Sequence, residues 1–241
     1  MFLPTSILFA FVFGAIIGSF LNVVADRVPA GRSVVRPRSF CEACNRPLTT
    51  LDLLPVVSYL WLRGRCRHCG VSIPVRLTMV EVVTGLLFMA VYLRVGVGPA
   101  FVVLSAATAL LVVVAVIDLE RGLIPNRIVF PGIIILLILS PWWPQLGVDR
   151  TFLDDSSNLA ALANSLVSGA GALLFFLAIA LAYPGGMGGG DVKLAGFIGL
   201  LVGYPGVVVA LYGAVVVGGV VAISLLLARR KGRKDAIPFG P

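Results

Sequence analysis

Lipid offers no hydrogen-bond partner to a peptide group. A segment that crosses a bilayer as a helix therefore needs roughly 17 to 25 consecutive apolar residues. This sequence repeats such runs near 2–24, 77–93, 99–117, 128–142, 159–182, 192–203 and 206–228, the fourth and sixth being short or broken by proline. Composition agrees: mean hydropathy is +1.04, with 59% hydrophobic and only 12% charged residues in 241. A soluble domain carries about 25% charged residues. The pattern predicts an all-α polytopic membrane protein with about seven transmembrane helices. The first run does not read as a cleaved signal peptide, because no Lys or Arg precedes it and it exits into "NVVADRVPAGR" without a small-residue cleavage site. No internal repeat supports an inverted-repeat transporter.

Charge orients the chain. If the seven spans are right, all but Arg94 and Arg150 of the 19 Lys and Arg residues fall on one side. By the positive-inside rule that side is cytoplasmic and the N-terminus faces out. The net charge of +8 is then a topology signal, with basic residues beside membrane borders, and no nucleic-acid partner is expected. The expected divisions are a first helix at 1–25, a cytoplasmic domain at 26–76, a multi-span domain at 77–228 and a basic tail at 229–241.

All four cysteines lie in the 26–76 segment, as "CEAC" (Cys41, Cys44) and "CRHC" (Cys66, Cys69), with 21 residues between the pairs. A two-residue gap lets both thiolates of a pair reach one metal, and Gly70 helps its turn present N–H groups to sulfur. Four thiolates suit structural tetrahedral Zn²⁺, standing in for a core too small to fold alone. The competing readings are two disulfides, disfavoured in a reducing compartment, or a redox dithiol. His68 reads as a surface residue.

Two acids come out at one depth in one leaflet. Asp118 sits in "VVVAVIDLERGLIPN", where the third span reaches the cytoplasm, and Asp191 in "YPGGMGGGDVKL", where the sixth begins. Carboxylates brought within a few ångströms share a proton, so one can activate water while the other protonates a departing amine. Helix dipoles, about 0.3–1 kcal/mol each and smaller than the mutual repulsion, favour Asp191 as the more readily ionised member and Asp118 as the acid. Gly188, Gly189 and Gly190 would leave room for an extended peptide substrate. The plainer reading is that Asp191 caps a helix and Asp118 snorkels to water.

"GGGD" (Gly188 to Asp191) matches the GxGD signature of intramembrane-type aspartyl peptidases. "IDLERGLIPN" and "GDVKL" resemble the two aspartate motifs of the bacterial type IV prepilin peptidases; "GAIIGSFLNVVADRVP" and the paired CxxC motifs resemble that family's opening span and cytoplasmic domain. The resemblance implies an enzyme that removes the leader of type IV prepilins or type II secretion pseudopilins and then N-methylates the new N-terminus with S-adenosylmethionine. It carries the peptidase dyad onto Asp118 and Asp191 and the metal ligands onto Cys41, Cys44, Cys66 and Cys69. It places the chain in the bacterial inner membrane. It also implies an eighth helix, so the chain reads as stopping at "IPFGP" before a last span. Asn126 departs from an Asp common in the family, with little effect expected.

Glu81, about one turn inside the second span, reads either as snorkelling toward Arg76 or as contacting S-adenosylmethionine or a substrate amine. Lys193, two residues past Asp191, would bias the charge of the acids. Trp142 and Trp143 fit an outer aromatic belt, and "DRTFLDDSSN" an outer loop without chemistry. Gly14, Gly18, Gly169 and Gly171 read as helix-packing positions. No residues mark a methyl-donor pocket; the cytoplasmic domain is its expected place. The alternatives are a proton-coupled transporter with a regulatory zinc domain, or a peptidase without methyltransferase activity. A proton relay, however, belongs nearer the bilayer midplane.

Overall fold

The computed structural model describes residues 3–148, 150–152, 155–183 and 187–227. The basic tail at 229–241, residues 184–186 of the glycine strip, and Asp149, Leu153 and Asp154 of the loop before the helix at Asn158–Ala182 lie outside them. The chain divides into two compact units, 1–117 and 118–241.

The first unit holds α1 (Leu3–Arg27), α2 (Val57–Trp61), α3 (Val75–Val95) and α4 (Pro99–Arg121) as far as Ile117. Between lipid-embedded helices the hydrophobic effect is weak, so small residues that allow close packing decide the contacts. A Cβ at Gly14 would lie 2.7 Å from that of Phe88, and one at Gly18 would lie 2.8 Å from the Cα of Glu81. From the other side, a Cβ on Gly85 would meet the Phe11 ring at 2.8 Å. The Asn22 amide donates to the Leu77 carbonyl at 2.9 Å, tying the end of α1 to the start of α3. α3 ends at Gly96, whose φ of 69° turns the chain while its N–H still bonds Tyr92.

The second unit begins at Asp118 in the last turns of α4. It continues through α5 (Asn126–Leu139), a 3-10 turn at Ser140–Trp142, α6 (Asn158–Ala182), α7 (Gly189–Val202) and α8 (Gly206–Leu227). Gly122, at φ 62°, closes α4 by donating its N–H to the Asp118 carbonyl. Pro125 then starts α5, accepting from Ile128 and Val129.

α6 and α7 approach through glycines on both helices. A Cβ on Gly199 would meet the Ser168 carbonyl oxygen at 2.4 Å, and one on Gly169 would meet Leu200 at 2.6 Å. Gly171 departs from the packing expected of it: nothing lies within 4 Å of its Cβ position, and it lines an apolar cavity of about 710 Å³ between α6 and α8.

Arg150, only 4% exposed, closes the far end of α7 by donating to the carbonyls of Leu200, at 3.2 Å, and Leu201. Its guanidinium also reaches Ser165 and stacks 4.5 Å from the Trp143 ring. Burial lowers its pKa to about 10, which leaves it charged at neutral pH. Asn164 holds the neighbouring chain, donating to Thr151 and Tyr204 and accepting the Tyr204 N–H at 2.8 Å. Trp142 is half exposed, as an aromatic belt requires, but Trp143 is wholly buried beneath Arg150. The segment between the 3-10 turn and α6 thus contributes a cation that ends a helix.

Among the described residues there are no strands beyond isolated bridges. Four helices, α1, α3, α4 and α6, are long and apolar enough to cross a membrane, and shorter apolar helices accompany them. The protein is a multi-pass membrane protein. α5 and α7, at 14 residues each, rise only about 21 Å.

Gly199→Leu is expected to lower stability by about 1–3 kcal/mol, the usual cost of overpacking. Gly171→Leu, which enters open space, is expected to cost less. Thermal unfolding of the two variants in detergent compares them directly.

Candidate active site and metal centre

Each CxxC pair is carried on the same small turn. In the first, the Cys41 N–H donates to Arg46 and the Asn45 N–H to Cys41; in the second, Cys66 donates to Val71 and Gly70 to Cys66. The bridges Phe40–Pro47 and Arg65–Ser72 close the two turns alike. The fourth residue past the leading cysteine takes positive φ in both, Asn45 at 54° and Gly70 at 70°. These are the residue types that tolerate this conformation best. Gly70 was legible as a turn former in the sequence; its counterpart Asn45 carries the same signal at the same offset.

The four sulfurs lie within 4.8 Å of one another, with 3.8 Å between those of Cys41 and Cys69. The cluster could hold a metal ion, and no disulfide joins the four. Backbone N–H groups of Cys69 and His68 lower the Cys66 thiol to about 7. The Val71 N–H favours the Cys69 thiolate, but desolvation and the neighbouring thiols push that residue up to about 11. The crowded sulfurs compete for charge, a conflict that a bound cation relieves. His68 is exposed, its ring 3.4 Å from Arg46.

The two acids come together from opposite helix ends. Asp118 is buried in the last turns of α4, and Asp191 is half-buried in the first turn of α7, within electrostatic reach of Asp118. The Asp191 Oδ2 accepts the Gly188 N–H at 3.2 Å, so it caps its helix as the plainer reading required. The same carboxylate lies within electrostatic reach of Asp118.

The glycines before Asp191 differ in use. A Cβ on Gly190 would lie 2.7 Å from that of Ile124, so the space left there is filled by this chain's own strap between α4 and α5. Gly189 faces open space. The Lys193 ammonium is directed to the start of α5, just past the strap: it donates to Asn126 Oδ1 at 2.7 Å and lies 5.4 Å from the Phe130 ring. Asn126, expected to matter little, is therefore joined to the helix that carries Asp191. The fold alone creates this partnership, since 67 residues separate the two.

Glu81 makes a contact that neither of its expected roles included. Its Oε2 accepts the Val56 N–H at 2.8 Å, while Arg76 reaches Asp26 at 2.9 Å. Val56 has φ 62°, a strained conformation for a β-branched residue. The Glu81 bond and the Leu60 N–H, which donates to the Val56 carbonyl, help to hold it.

Fold and site together define a multi-pass membrane protein with a four-thiol cluster in its first unit and paired acids in its second. Residues 12–95 match the bacterial peptidase A24 N-terminal domain, and residues 105–223 match the type IV leader peptidase family. The prepilin leader peptidase/N-methyltransferase of Bacillus subtilis (strain 168) is 35% identical over 235 residues, covering 96% of this chain and 88% of that protein. Proteins of the same name from Myxococcus xanthus (strain DK1622) and Aeromonas hydrophila are 37% and 32% identical. These alignments cover 93% and 96% of this chain, and 64% and 85% of the respective relatives. No solved structure matches. The chain belongs to the bacterial type IV leader peptidase family.

The purified chain is expected to bind a divalent metal ion that Cys66→Ser releases, as read by elemental analysis. Chelation is expected to make residues 26–76 sensitive to protease while α3 stays protected.

Proposed function

We propose that this protein is a membrane aspartyl endopeptidase that removes the leader from type IV prepilins or type II secretion pseudopilins, then N-methylates the new terminus with S-adenosylmethionine. The observation that carries the reading is the approach of Asp118 and Asp191 from opposed helix ends. One carboxylate takes a proton from water as its oxygen attacks the scissile carbonyl; the other gives a proton to the departing amine as the C–N bond breaks. The pair then returns to its starting protonation by redistributing the proton it holds. Open space beside Gly189 gives an extended peptide a way past the acids.

Zn²⁺ is the ion that best suits the four thiolates. Tetrahedral Zn–S bonds of 2.3 Å imply sulfur separations of roughly 3.8 Å, and Cys41 and Cys69 lie 3.8 Å apart. The ion would supply folding energy to residues 26–76. Seven crossings with the N-terminus outside put that segment and both acids at the cytoplasmic face of the inner membrane, following the Lys and Arg distribution. A prepilin's basic leader and apolar helix meet at that border. The domain divisions expected from the sequence follow the same topology.

The test is incubation of the purified chain with a prepilin and labelled S-adenosylmethionine. Asp118→Asn and Asp191→Asn are each expected to lower cleavage by about 10²–10⁴-fold or more, with metal content unchanged. Cleavage that survives both changes would sink the peptidase reading. Label appearing on the pilin only after cleavage supports the second activity. Lys193 acts by position, holding Asn126 at the start of α5 against α7. Lys193→Met is expected to reduce turnover by up to about 10²-fold through misplacement, whereas Asn126→Asp, which keeps an acceptor for the ammonium, is expected to retain it.

A further inference from the structure

The stretch between the two cysteine turns leaves an apolar surface uncovered. Leu51, Leu53, Leu54, Val57, Leu60 and Trp61 are all exposed, the last two at 69% and 71%. The one charged side chain in 51–61 is turned away: Asp52 is 4% exposed at its side chain, accepting from Arg67 at 2.8 Å and from the Thr49 hydroxyl at 2.7 Å. Tyr59 is likewise turned inward, its ring filling the space that a side chain on Gly64 would need. Such sorting leaves one face of the stretch almost wholly apolar.

A second observation fixes where this face lies. The Val56 N–H is bonded to Glu81, six residues after the start of α3 at Val75. At 1.5 Å per residue, that anchors the stretch roughly 9 Å along the helix from its first residue. Val75, Met79 and Val83 are exposed on α3 over the same turns, spaced four apart along one face. Glu81 is two residues from both Met79 and Val83, about 200° around the helix. The stretch is therefore pinned on the other side of α3 from that face but at the same depth, on the exposed first turns of an apolar, membrane-length helix. Arg63 and Arg65 follow the stretch immediately and are exposed, as suits a border of anionic head groups.

We propose that Leu51–Trp61 lies in the headgroup–acyl boundary of the bilayer, where α1 ends and α3 begins, with lipid as its occupant. Glu81 is its anchor, and holds the strained Val56 so that the leucines and Trp61 face lipid. Large apolar residues and tryptophan on one face, with arginines at the edge, have the chemistry of an interfacial segment. The four-thiol module is thereby held at the membrane surface at two points besides the ends of α1 and α3: the Glu81 bond and this insertion.

The test uses the full chain in phosphatidylcholine–phosphatidylglycerol vesicles whose acyl chains carry bromine near either the ester or the methyl end. The fluorescence difference between wild type and Trp61→Phe isolates Trp61 from Trp142 and Trp143. Trp61 emission is expected to be lost most strongly to bromine near the ester end, with little loss to aqueous iodide. Leu60→Glu is expected to shift the emission to the red and restore iodide quenching, with metal content unchanged. Trp61 quenched by iodide and untouched by either bromolipid would overturn the proposal. So would a Trp61 shielded from both quenchers, which would identify a protein partner or a second copy as the occupant.

Discussion

The contact between α6 and α7 is the constraint on which the second unit turns. At Gly199 the helices are so close that a single methyl group would meet a backbone oxygen at 2.4 Å. In lipid such closeness is favoured by dispersion and close backbone packing, since burying more hydrocarbon among hydrocarbon gains little. α7 therefore has little freedom to rotate or slide on α6, and Asp191 at its N-terminus inherits that rigidity. Arg150 fixes the other end. A buried guanidinium that bonds two terminal carbonyls satisfies groups which a short helix would otherwise leave open to apolar surroundings.

The strap from Gly122 to Pro125 connects this rigidity to Asp118. Gly122 must take positive φ to end α4, and Pro125 starts the next helix without needing an N–H partner. Ile124, between them, occupies the space left by Gly190, and Asn126 receives the Lys193 ammonium. Two independent contacts thus join the segment after one acid to the helix that carries the other. Two carboxylates held close repel whenever both are ionised, and a scaffold that keeps them near must oppose that repulsion.

The helices were legible because apolar runs of spanning length have few other folds open to them. The cysteine turns were legible because paired thiols at a two-residue gap carry their own geometry. The approach of Asp118 and Asp191 was inferred from topology, since opposite ends of alternating spans must return to one face. What escaped was partner choice. Trp143 and Trp142 are adjacent and chemically identical, yet one lies wholly buried beneath Arg150 and the other is half exposed. Gly169 and Gly171 differ in the same way, one touching Leu200 and the other lining a cavity. A two-residue step on an α-helix turns by about 200°, so Gly169 and Gly171 face opposite ways, and periodicity within a nearly uniform apolar run leaves no mark of which way.

Glu81 shows the same limit from the side of function. An acid inside an apolar helix is costly, and cost alone suggests chemistry. Here the acid accepts a backbone N–H from a residue held at positive φ, so its expense is offset locally by a bond that also positions a neighbouring segment. The two kinds of buried acid in this chain differ by what faces them. Asp191 lies within electrostatic reach of another carboxylate, the arrangement on which the proposed chemistry rests; Glu81 accepts a peptide N–H, which does not ionise at neutral pH. Depth in the bilayer marks an acid as consequential, but only its partner decides whether that consequence is catalysis or architecture.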